Sequence, residues 1–147
     1  MHSFNKIKIL PYPPKLLFDL VLSVEDYPQF LPWCQAARIV SQDQHQITAE
    51  LVIKFKTFIE KYQSRIIYTI TPTGEYIIEV EAISGPFKYL HNRWLFRNEE
   101  RETSVVEFFI DFQFKSLLLD KLIGLFFYRA AEKLMEAFEK RALLLKE

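Results

Sequence analysis

Apolar residues recur at every second position through the middle of the chain and at helical spacing on either side of it. Residues 4–10 alternate, with Phe4, Lys6 and Lys8 against Ile7 and Ile9, and stop at Pro11, which predicts a short strand. Pro13-Pro14 can open a helix in which Leu16, Leu17, Leu20, Val21 and Val24 share one face up to Glu25-Asp26. A second helical turn over 27–31 is closed by Pro32.

From Cys34 onward the period is two. Strands are predicted over 35–41, 46–55, 59–71, 76–83, 89–97 and 104–115, joined by short loops such as Pro72-Thr73-Gly74. Short connections between successive strands imply an antiparallel meander. Its alternation separates two faces. Ala49, Leu51, Ile53 and Phe55 fall on one side, as do Ile66, Tyr68 and Ile70, then Ile78, Val80 and Ala82, then Trp94 and Phe96, then Phe108, Ile110, Phe112 and Phe114. Leu95 and Phe109 point the other way, under a loop or into a partner contact.

Residues 117–145 read as a long helix with one stripe made of Leu119, Ile123, Phe126, Phe127, Ala130, Leu134, Ala137, Phe138 and Leu145. Leu117, Leu118 and Leu125 fall on its polar side, so its first third is oily nearly all round and needs a cover of loops, ligand or membrane. The whole predicts an α+β helix-grip fold: one domain over 1–147, a curved antiparallel sheet wrapped round the last helix, with two short helices after the first strand. Large inward aromatics at spaced positions leave room for a cavity between sheet and helix.

Composition sharpens this picture. Half of the 147 residues are hydrophobic and 14 are Phe, while Gly numbers only 3, so the chain packs or binds something oily and has no glycine-rich phosphate loop. The 19 basic and 19 acidic residues balance, which removes the global field that DNA binding uses. Cys34 is the single cysteine and no apolar signal core is evident; both point to a reducing cytoplasm, bacterial by preference. The oiliest stretch, 117–127, includes Asp120 and Lys121 and falls short of a bilayer span, so membrane contact is expected to be peripheral, on the inner face.

Candidate chemistry is sparse. His2 lies at an end expected to fray, His45 in a hairpin turn and His91 at a strand start, with no nucleophile or metal-ligand spacing around them. Catalytic residues, a catalytic cofactor and a metal site are therefore not expected. Cys34 is either a reactive thiol or a small core residue. The candidate cavity takes the inward positions Leu51, Ile53, Phe55, Ile66, Tyr68, Phe87, Trp94, Phe108, Ile110 and Phe112, and the helix positions Ile123, Phe126, Phe127, Ala130 and Leu134. Asn92 is either a polar handle on a ligand oxygen or a tie to the Gly85-Pro86-Phe87 loop. Phe30, Leu31 and Trp33, in the segment Tyr27-Pro28-Gln29-Phe30-Leu31-Pro32-Trp33, form either a lip that touches a membrane interface or a plug at one end of the sheet. Lys54, Lys56, Lys61 and Arg65, with Lys6 and Lys8, make either a positive patch for anionic lipid or ribosomal RNA, or a merely solvated face.

Five segments carry a family resemblance: 16–21 (LLFDLV), 24–34 (VEDYPQFLPWC), 85–87 (GPF), 92–94 (NRW) and 106–112 (VEFFIDF). Together they resemble the coenzyme-Q-binding branch of the START-like, polyketide cyclase/dehydrase superfamily, whose bacterial members are also called ribosome-association toxin homologues. The resemblance runs from Pro11 to Phe138. It implies a helix-grip fold, a lipid-sized cavity, and binding of ubiquinone or a related polyprenyl lipid in support of respiratory electron transport or quinone synthesis, without catalysis. The chain departs from the branch at His91, where an acidic residue is usual, which puts a salt bridge there in question. Two rivals stand beside the quinone carrier. One is a module that docks on the large ribosomal subunit; the other is an aromatic cyclase-type enzyme, for which no convergent acid and base are visible.

Overall fold

The computed structural model of the chain describes residues 2–146. Strand β1 (His2–Leu10) leads into helix α1 (Pro14–Leu22) and a 3₁₀ turn (Val24–Gln29). Six further strands follow: β2 (Cys34–Asp43), β3 (Gln46–Phe55), β4 (Phe58–Ile70), β5 (Tyr76–Ser84), β6 (Phe87–Glu100) and β7 (Thr103–Phe114). The chain then runs through helix α2 (Leu117–Lys146). The sheet is antiparallel throughout in the order β1-β7-β6-β5-β4-β3-β2, so the meander closes back on β1 through β7. Register shifts at Cys34/Ala36, Gln63/Ser64 and Phe87/Tyr89 bend the strands and give the sheet its concave face.

The predicted strands and both helices are present, with ends moved by a few residues, and the short turn sits earlier than expected because Pro28 lies inside it. The inward face is as the alternation predicts over β3, β6 and β7: Ala49, Leu51, Trp94, Phe96, Phe108, Phe112 and Phe114 are buried. Ile70, assigned to that face, is 55% exposed because it lies at the end of β4, beyond the helix cover. Leu95 has the outward parity expected of it and is nonetheless only 8% exposed, beside Ile77 and the Arg97–Glu107 ion pair.

Three local features depart from the sequence reading. In β1 the isoleucines Ile7 and Ile9 point outward, each 63% exposed, while Lys8 turns inward and its Nζ donates to Glu139 Oε2 on α2 at 2.8 Å. His2 is held, not frayed: its Nε2 lies 3.0 Å from Asp120 Oδ1, and its ring packs on Phe112 and Phe127. In α2 the buried stripe drifts from Leu119 and Phe127 to Ala131, Met135, Phe138 and Ala142, leaving Leu145 49% exposed. A straight helix rotates its contact line relative to a fixed repeat, so the stripe shifts along so long an element.

One glycine is demanded by packing. Gly85 has φ +110°, and a Cβ there would stand 2.4 Å from Tyr62 Cβ and 2.9 Å from Lys61 O. Gly85→Ala is expected to cost about 2–4 kcal/mol of unfolding free energy, the sum of a disfavoured backbone well and a clash with β4, read by urea denaturation.

Candidate ligand cavity

α2 packs on α1, β1 and β7, and this placement divides the concave face into two ends. At one end the side chains interlock. The Trp94 ring centroid lies 4.6 Å from that of Phe108 and 5.1 Å from that of Phe138, Leu17, Leu20 and Val21 of α1 are buried there, and the buried Ser104 Oγ donates to Tyr12 O at 2.7 Å. At the other end α2 stands away from β3 and β4, and a cavity of about 560 Å³ opens between them. That size falls within the range of about 300–1,000 Å³ typical of small-molecule sites.

The cavity wall is an aromatic box. The Phe87 ring stacks on Phe114 at 4.7 Å and meets Tyr62 edge-on at 5.0 Å, and Phe112 meets Phe127 at 5.1 Å. Ile53, Leu90, Ile110, Leu119, Ile123 and Leu134 complete the apolar lining. The uncharged polar groups on the wall are the Tyr62 phenol, which burial raises well above its usual range and so keeps neutral, and the Trp33 indole. The charged lining residues are Lys54, Lys56, Glu60, Arg129 and Lys133; of these, the four cations are exposed at the mouth.

The structure brings twelve of the predicted site residues onto this cavity: Trp33, Ile53, Phe55, Phe87, Phe108, Ile110, Phe112, Ile123, Phe126, Phe127, Ala130 and Leu134. It places seven elsewhere. Leu31, Leu51, Ile66 and Trp94 are in the solid core and off the cavity wall; Trp94 is covered there by Phe138 of the second half of α2. Tyr68 packs edge-on to Phe18 and His45, and Phe30 is held between Tyr27, Phe138 and the Arg141 guanidinium. Asn92 is off the cavity wall, and it ties β6 to β7 and not to the Gly85-Pro86-Phe87 loop: its Nδ2 donates to Phe109 O at 2.8 Å. The aromatic segment before β2 therefore splits, Phe30 and Leu31 plugging the closed end while Pro32 and Trp33 reach the cavity.

Several lining residues were left out of the candidate cavity. Tyr62, Leu90 and Phe114 share the inward parity of Ile66, Trp94 and Phe112, and that parity was signal enough to find them. The rim cations Arg129 and Lys133 sit one helical turn apart on the flank of the apolar stripe, and nothing local marks them.

The sequence-family model for polyketide cyclase / dehydrase and lipid transport matches residues 10–139. The chain belongs to this family. It is 54% identical over 142 residues, covering 97% of each chain, to the ribosome association toxin RatA of Rickettsia prowazekii (strain Madrid E). It is also 29% identical over 144 residues to the mitochondrial coenzyme Q-binding protein COQ10 homolog B of Xenopus laevis, covering 95% of this chain and 57% of that one. The fold is START-like: a START superfamily protein from Mycobacterium smegmatis superposes with a TM-score of 0.79 at 18% identity, covering 99% of both chains.

The segments that carry the polyketide cyclase/dehydrase resemblance have structural reasons in this fold. In Gly85-Pro86-Phe87, the glycine lets the loop cross Tyr62 and Phe87 then joins the cavity wall. In Asn92-Arg93-Trp94, Asn92 ties β6 to β7, Arg93 Nε lies 3.7 Å from Glu79 Oε1 on β5, and Trp94 anchors the closed end. His91 lies on β6 opposite Glu81 and Asp111, and the ion pair of this segment is made by Arg93 with Glu79. Cys34 is a core residue, and burial pushes its thiol up to about 11, so it stays protonated at neutral pH and is a poor nucleophile. The basic patch envisaged on the central hairpin and β1 is broken up: Arg65 pairs with Glu81, Lys8 turns inward to Glu139, and Lys54 and Lys56 join the cavity mouth.

Proposed function

We propose that this protein is a non-enzymatic carrier that buries the tail of a polyprenyl lipid between α2 and the concave sheet. The observation that carries this reading is the cavity itself, about 560 Å³ with a mainly aromatic and aliphatic wall. Each buried CH₂-sized group contributes on the order of 0.8 kcal/mol before ordering costs, so a few isoprene units give micromolar binding. Apart from the charged residues Lys54, Lys56, Glu60, Arg129 and Lys133, the lining is apolar but for Tyr62 and Trp33, a composition that suits holding a lipid tail. Relatives named for coenzyme Q binding make ubiquinone the first lipid to try.

Leu118 and Leu125, 65% and 76% exposed, lie on the flank of α2 that leads to Arg129 at the mouth. They support loading from the inner face of a membrane by a protein that otherwise works in the cytoplasm. The test is organic extraction and native mass spectrometry of protein purified from a membrane-containing lysate, followed by uptake of added ubiquinone. Stoichiometric polyprenyl lipid is the expected result; a lipid-free protein that also takes up none defeats the proposal.

A second reading is favoured by a specific observation, the 54% identity to a protein named for ribosome association. In it the chain docks on the large ribosomal subunit, with Lys54, Lys56 and Lys61 of the β3–β4 hairpin as the contact. Charge reversal at the three lysines is expected to abolish cosedimentation with ribosomes, and unchanged cosedimentation removes this hairpin as the docking surface.

A further inference from the structure

The charges of this neutral chain are unevenly placed around the cavity. Four cations, Lys54, Lys56, Arg129 and Lys133, line its mouth against one carboxylate, Glu60. None of the four has a carboxylate oxygen within 4.0 Å among the described residues, although ion pairs are made elsewhere on the sheet by Arg38, Arg65 and Arg97. Arg129 and Lys133 are an i,i+4 pair of like charge, an arrangement that costs helix stability, and Glu132 and Glu136 in the same helix leave both unpaired. Across the gap, Lys56 sits at φ +54° in the hairpin turn with its Nζ 4.8 Å from the Phe126 ring centroid, and so bends over the opening toward α2. Lys56 of the β3–β4 hairpin and Arg129 and Lys133 of α2 thus line one largely apolar cavity from two elements. A neutral headgroup leaves this arrangement unused.

We propose that the cavity takes a polyprenyl amphiphile with an anionic headgroup, a phosphate or carboxylate seated between Lys56, Arg129 and Lys133 with its tail in the aromatic box. This rests on the carrier reading and deepens it: a neutral lipid such as ubiquinone binds through its tail alone, and an acidic polyprenyl lipid binds more tightly. Unpaired cations beside a low-dielectric wall hold an anion more firmly than the same cations on an open surface, because solvent screens only one side. The arrangement also orients the ligand, head at the mouth and tail inward.

The experiment compares geranylgeranyl monophosphate, geranylgeraniol and inorganic phosphate by titration calorimetry, in the full chain and in the Lys56→Gln/Arg129→Gln/Lys133→Gln variant. All three sites are solvent-exposed, so the variant is expected to fold as the parent does. The phosphate lipid should bind at least about tenfold more tightly than the alcohol of the same tail, a ratio that shrinks as salt rises from about 0.05 M to about 0.5 M. In the variant the ratio should fall to about one, because the phosphate lipid loses the charge contribution that the alcohol never had. Equal affinities in the parent, or an unchanged ratio in the variant, overturn the anionic headgroup and leave the carrier standing. Inorganic phosphate binding as tightly as the lipid phosphate overturns it too, since the tail then plays no part. If neither lipid binds, the carrier reading falls and the headgroup falls with it.

Discussion

Ala130→Trp is expected to reduce polyprenyl lipid uptake at least about tenfold while leaving the fold intact. Ala130 lies on α2, half-buried, and its side chain faces the cavity among Ile123, Phe126, Phe127 and Leu134. An indole there would occupy the space the tail requires. Overpacking destabilises a protein where the core is already full, commonly by about 1–3 kcal/mol, but here the added ring enters a void and buries apolar area against other rings. Stability should therefore stay level or rise. The check is paired: lipid uptake by fluorescence or calorimetry, and the urea midpoint of the same preparation. Undiminished uptake in a folded variant would show that the tail lies elsewhere.

Trp94→Ala should do the opposite, destabilising the protein while leaving the cavity lining in place. Trp94 is 5% exposed, its ring stacks on Phe96 at 5.7 Å and meets Phe108 and Phe138 edge-on, and it lies at the closed end where α1 and α2 meet the sheet. Removing a fully packed indole costs about 3–5 kcal/mol, a large part of the total stability of a domain this size. Urea denaturation reads the loss. Lipid bound per folded molecule should remain at the parental level, and a selective fall in binding with stability unchanged would move Trp94 back into the site that its parity suggested. The contrast between the two variants separates the two ends of the concave face.

The two faces of the sheet, though not the two ends of its concave side, were legible in the sequence. The period of two in residues 46–55 and 104–115 identified the greasy face, since a pleated strand must send alternate side chains to opposite sides. Loop chemistry told where strands turn. The abundance of Phe against so few Gly told that the interior is aromatic. By contrast, inward parity was silent on which inward residue faces a ring and which faces a void. Trp94 and Phe112 are both inward and both buried, yet only Phe112 lines the cavity. The difference lies in the tilt of α2, which rests on β1 and β7 and carries its buried line from Leu119 across to Ala142.

The rim was half in reach. Lys54 and Lys56 stood out as part of a basic cluster on the central hairpin, whereas Arg129 and Lys133 lie on the flank of a helix, and each taken alone is an ordinary solvated cation. The sequence by itself determined the elements, their faces and the oily interior, because backbone geometry ties those properties to neighbours a few residues away. Only the tertiary structure decided where the helix stops filling the sheet and which distant cations meet at the gap it leaves, because packing between remote segments has no local period to announce it.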